Sequence, residues 1–118
     1  AYDDLPATQS RLMMGVIRDQ IGFGGLLMTD DLNMQALSGS IATRTTAAMA
    51  AGCDLALHCN GDLAEIAQVA EAAGDMGHSA RRRAQSALAW RKPAAPVDIS
   101  TLDAELAGLM KDAPHVQN

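Results

Sequence analysis

Apolar positions recur at helical spacing over residues 8–21, where Leu12, Met13, Val16, Ile17 and Ile21 follow a start that Thr8 or Ser10 can cap. Gly22 is placed to end that helix in a left-handed conformation. The pattern then changes. Residues 25–29 form a short apolar run behind a glycine turn, too short for a helix, which predicts a buried strand stopping at Asp30 and Asp31. Ser38-Gly39-Ser40 leads into an alanine-rich helix from Ile41 to Ala51, closed by Gly52. Residues 54–58 predict a second strand, closed by Cys59-Asn60-Gly61. Asp62 caps a helix over residues 63–73 with Leu63, Ile66, Ala67 and Ala70 on one face. Residues 74–77 break it, and 79–91 form a further helix that Pro93 and Pro96 stop. Residues 97–118 hold one short helix, Thr101 to Lys111, and a polar end.

The order is helix, strand, helix, strand, helix, helix. Strands separated by helices imply an α/β fold with a parallel sheet. Both strands read as apolar on both faces, as expected of a sheet covered on each side. A two-stranded parallel sheet cannot bury itself, so the pattern asks for more βα units. A complete (β/α)8 barrel needs about 250 residues, and this chain has 118.

Composition points the same way. Hydrophobic residues make up 48% and charged residues 19%, which excludes intrinsic disorder. Aromatic residues are only Tyr2, Phe23 and Trp90, whereas 23 residues are alanine. Few large anchors and many small side chains suit closely packed helices lying on a larger body. Acids outnumber bases 14 to 9, giving a net charge of −5 that disfavours nucleic acid as a partner. No apolar run reaches the roughly 18 residues needed to cross a bilayer, and no export signal opens the chain, so a soluble protein without a membrane partner is expected. Cys53 and Cys59 then read as buried thiols rather than a disulfide.

The strongest chemical signal is Thr29-Asp30-Asp31 at the C-terminal end of a buried strand. In parallel α/β architectures that end opens into the active site. Adjacent residues on a strand point to opposite faces, so if Asp30 faces a barrel interior with Met28, Asp31 points away. The competing reading makes Asp31, or Asp31 together with Asp30, a turn or capping residue. His58 and Cys59 close the second strand beside Asp30 and either line the site or simply pack at the strand end. No close-spaced ligand pair supports a metal among Asp30, Asp31, His58 and Cys59, and Cys53 with Cys59 lacks the spacing of a redox pair. Gly22 to Gly25 precede a strand where phosphate loops follow one, so turn geometry explains them. Arg81, Arg82 and Arg83 read as a solvated helix face. Seven methionines read as core filling, with Met28 and Met34 near the candidate site.

Ile17-Arg18, the segment IGFGGLLMTDDLNMQAL (21–37) and the segment AGCDLALHCNG (51–61) together resemble the C-terminal part of a bacterial β-N-acetylhexosaminidase of glycoside hydrolase family 3. The branch resembled is the single-domain cytoplasmic one that acts in peptidoglycan recycling. The resemblance runs from about Tyr2 to about Trp90. It implies a TIM barrel in which residues 25–30 are strand seven and 54–58 strand eight. It also implies hydrolysis of terminal β-linked N-acetylglucosamine with retention, through a covalent glycosyl–aspartate intermediate and without a metal or cofactor. The nucleophile it implies is Asp30, the first aspartate after the Thr of the motif; a carboxylate held beneath the sugar attacks the anomeric carbon and splits the displacement into two steps. Asp31 and His58 remain substrate-lining candidates. Gly24 stands where relatives often carry a polar residue, a mild departure.

The larger departure is that the family's acid/base histidine, its aspartate partner and the sugar-binding residues belong to upstream motifs. His58, His78 and His115 do not match the acid/base motif. The expectation is therefore a barrel portion over residues 1–92 and a tail over 93–118, inactive alone, whose substrate is an amino sugar or muropeptide. The alternative is a non-catalytic α/β fragment or subunit that works only with a partner, either the missing barrel portion or a second copy of itself.

Overall fold

A computed structural model describes residues 3–111. After a 3-10 turn at Ala7–Gln9, Ser10 caps α1 (Arg11–Gly15) by accepting the amide of Met13, and the last turn, Val16–Gln20, widens to π geometry. Of the two expected caps it is Ser10 that serves. The buried side chain of this helix is Met14, with Ile17 packed beside it, whereas Leu12 and Ile21 are exposed. Gly22 has a φ of 75°, the left-handed turn anticipated for it.

The first strand, β1 (Met28–Asp31), starts later and runs further than its apolar pattern indicated. The reason lies in its partner. Both Leu32, through its amide, and Thr29, through its hydroxyl, are tied to β2 (Leu55–Leu57), which keeps the aspartates extended. The two strands are parallel, as expected. Between them runs α2 (Ile41–Ala51), capped by Ser40 and ended by Gly52 at φ 123°. Its buried face is Ile41, Thr45, Ala48 and Ala51, packed with Leu32, Leu37 and Met14 into one small core. Thr45 satisfies its hydroxyl on the Ile41 carbonyl.

Asp62 caps α3 (Leu63–Ala73) through the amides of Ala64 and Glu65. The side it sinks against the core carries Val69, with Ala72 and Ala73 half-buried, while Leu63 is 81% exposed. The apolar stripe beginning at Leu63 is therefore not the packed one. Neither α4 (His78–Ala89) nor α5 (Ile99–Lys111) contributes a buried residue, and α5 starts two residues before Thr101 because Asp98 caps it. His115 lies outside the described residues. No helix among the described residues is long and apolar enough to cross a membrane.

Two covered sheet faces were expected, and β1 has one. Met28 is 52% exposed and Asp30 is exposed, while Thr29 between them is buried. The accessible surface of 8989 Å² exceeds the roughly 6,100 Å² usual for a compact chain of this mass.

Candidate active site

Asp30 stands near the C-terminal end of β1, on the same uncovered side as Met28. One carboxylate oxygen accepts the amide of Asp31 at 2.8 Å, which fixes one rotation of the side chain and leaves the group otherwise open. The loop that follows is held under it. Leu32 is fully buried, Leu37 nearly so, and Arg44 from α2 donates to the carbonyls of Leu32 and Met34 at 2.9 and 3.2 Å and to that of Gly39. The carboxylate is thus presented by a strand end whose continuation is anchored to the core.

Asp31 does different work. A single oxygen accepts the amides of Asn33 and Cys59, each at 3.1 Å, so it joins the loop after β1 to the loop after β2. These two amides hold its carboxyl below the usual carboxylate range, with a smaller contribution from the nearby His58. The structure therefore separates the aspartates: Asp30 is free to meet a ligand, and Asp31 is bonded back into the protein.

His58 is adjacent in the fold but turned inward. Its side chain is only 4% exposed and neither ring nitrogen has a hydrogen-bond partner. Nε2 comes within 3.3 Å of the Glu65 carboxylate without hydrogen-bond alignment, and that carboxylate accepts instead from Asn60. The imidazole lines a cavity of about 500 Å³ among β2, α3 and α4, alongside Leu55, Ile66, Val69 and Met76. Asp30 does not border this cavity, nor a second one of about 450 Å³ between Phe23–Leu26 and Arg82, Arg83 and Trp90 on α4. The carboxylate and the imidazole face separate spaces.

The cysteines also diverge. Cys53 is buried, and burial pushes its thiol pKa up, whereas Cys59 is exposed. The expectation of two buried thiols holds for Cys53 and fails for Cys59, because the chain leaves β2 at that point and turns outward. Both are free. No group of three or more His, Cys, Asp or Glu side chains converges among the described residues.

At the opposite end of the strands sits a cluster that sequence patterning did not single out. Asp54, just before β2, is buried and accepts from Arg18 at 2.7 Å, from the Leu27 amide at 3.0 Å and from Arg83 at 2.8 Å. Arg18 also donates to the carbonyls of Phe23 and Gly25 and stacks over the Phe23 ring. The arginine triplet is therefore split: Arg81 and Arg82 are exposed, while Arg83 reaches an acid within the same chain. The signal for this cluster was a lone aspartate opening an apolar strand, where burial demands a partner.

Residues 1–88 match the family model described as the glycosyl hydrolase family 3 N terminal domain. A protein named Beta-hexosaminidase from Thiobacillus denitrificans is 40% identical over 95 residues, covering 78% of this chain and 26% of that protein. Its namesake from Hydrogenovibrio crunogenus is 41% identical over 83 residues, covering 65% of this chain and 23% of that protein. A third, from Alkalilimnicola ehrlichii, is 46% identical over 63 residues, 51% of this chain and 18% of its own length. The chain thus spans between 18% and 26% of the length of these relatives.

Proposed function

Because this chain belongs to glycosyl hydrolase family 3, we propose that it supplies the nucleophile-bearing βα units, strands seven and eight, of a retaining β-N-acetylglucosaminidase barrel. The observation that carries this reading is the placement of Asp30, an exposed carboxylate at the C-terminal end of a parallel strand, on a face the chain leaves bare. In that frame Asp30 attacks the anomeric carbon of a terminal N-acetylglucosamine while an acid from elsewhere in the barrel protonates the leaving oxygen. Water then releases the sugar from Asp30, with the same external group acting as base. Two inversions give net retention.

Peptidoglycan-derived N-acetylglucosaminyl sugars in the cytoplasm are the substrates this reading implies. His58 is not the acid in it, since its imidazole faces the cavity away from Asp30. Asp31 shapes the two loops rather than the sugar. The partner is the rest of the barrel, which covers Met28 and the uncovered strand face. A fluorinated N-acetylglucosamine inactivator, applied to the assembled hydrolase, is expected to label the peptide containing Asp30. Labelling of any other carboxylate sinks the assignment.

A second reading treats the segment as a non-catalytic subunit that associates with a partner or with another copy. The bare face of β1 is compatible with it. The same inactivator decides: an assembled complex that hydrolyses the sugar but never carries label on Asp30 favours this reading.

A further inference from the structure

The strands β1 and β2 fall out of step at one place. Met28 stands opposite Leu55 and Asp31 opposite Leu57, so β1 takes three steps where β2 takes two. The extra residue is a bulge, a device that re-aims a side chain beside a site. A side chain bonds across it. Within this step the Leu57 amide donates to the Thr29 hydroxyl oxygen at 2.8 Å. The Leu57 carbonyl then accepts from Leu32 at 2.9 Å, beyond the bulge. Thr29 is 5% exposed, so water does not compete for this bond.

Asp30 is the next residue, and it emerges from the bulge with one oxygen pinned by the Asp31 amide. We propose that Thr29 is a positioning residue for Asp30: by taking the Leu57 amide, its hydroxyl holds the bulge that turns the carboxylate out onto the bare face. The inference rests on the reading of Asp30 as nucleophile and extends it to the group that aims it. Valine has the same shape and no acceptor, so it removes this bond and lets the ladder re-register. Serine keeps the acceptor. A branched Cβ further restricts the rotamer that places the oxygen.

The test has two parts. In this chain, amide exchange at Leu57 is followed by NMR. Thr29→Ser is expected to keep the protection to within about twofold and Thr29→Val to lose at least about fivefold, as for loss of one sheltered hydrogen bond. Unchanged protection in Thr29→Val overturns the proposal. Should Thr29→Val not fold, Thr29→Cys replaces it: sulfur is the poorer acceptor, so exchange must be faster than in Thr29→Ser, and the reverse order overturns the proposal.

The second part places residues 1–88 in the whole Beta-hexosaminidase of Thiobacillus denitrificans, in exchange for its matched segment. There Thr29→Val is expected to lower kcat about 100-fold with KM within about threefold, and Thr29→Ser to recover kcat to within about fivefold. A loss carried by KM, or one that serine does not recover, overturns the positioning role. Asp30→Asn in the same protein separates the two ideas. If it still turns over, the nucleophile reading fails whatever Leu57 exchange shows.

Discussion

Asp54 joins three parts of the chain with one buried carboxylate. Its oxygens take Arg18 from the turn after α1, the Leu27 amide ahead of β1, and Arg83 from α4. Removing the acid leaves two arginines and an amide without their partner in a half-buried place. Asp54→Ala is therefore expected to cost about 2–4 kcal/mol, read from the urea midpoint; a change below about 0.5 kcal/mol would show that water takes over the bonds. Asp31 is the opposite case, an acid bonded only to amides at the surface. Its folded pKa lies below the ordinary value of about 3.9, so the charged form favours folding above that pH, and the benefit fades as pH falls through the folded value. Asparagine keeps an acceptor and does not titrate. Asp31→Asn should flatten the loss of stability below about pH 4, seen as a smaller shift of the melting temperature on acidification. Asp3 and Asp98, whose carboxyls are lowered first by the hydroxyls of Ser10 and Thr101, retain the remaining slope.

Among the elements, α5 shows what an amphipathic pattern can and cannot specify. Ile99, Leu102, Leu106 and Leu109 lie at helical spacing, and all are at least half exposed. Ending the chain after residue 92 should leave the melting temperature unchanged within about 2 °C, since a shift of that size is below 1 kcal/mol for a chain of this length. A larger fall would reveal packing onto the body. The elements with strong punctuation were legible: Ser40 and Gly52 bound α2, and Asp62 starts α3, because a cap and a left-handed glycine act locally. The limits of β1 were not, since its extension through Asp30 and Asp31 depends on a neighbour 26 or more residues away in the chain. The choice of face on α3 failed for a related reason. Val69 meets the core because of where β2 and α2 sit, and periodicity alone favoured Leu63 and Ile66. The exposed place of Asp30 near the strand end was legible from its position after an apolar run; the hydroxyl of Thr29 that takes a main-chain amide was not, because nothing local marks a bulge.

On the scale of the whole molecule, the chain is spread out. Its radius of gyration is 19.4 Å, against about 13–14 Å for a compact domain of this length. The buried apolar set among the described residues is small, seven side chains from Met14 to Cys53, and it lies to one side of the sheet. The other side carries Met28, about half exposed, and the exposed Asp30. If Asp30 is the nucleophile proposed above, the described residues around it offer too little to bind or orient a sugar. The purified chain is accordingly expected to release no chromophore from a chromogenic β-N-acetylglucosaminide above the buffer rate, and turnover abolished by Asp30→Asn would overturn that expectation.

The Asp54 cluster has a consequence for how such a chain can vary over evolutionary time. It grips the beginnings of both strands, while Asp30 and the loops around it occupy the ends. On the proposed function, substitutions that alter which glycan is accepted would fall at the ends and leave the grip untouched, so new specificities could be sampled without first gathering spare stability.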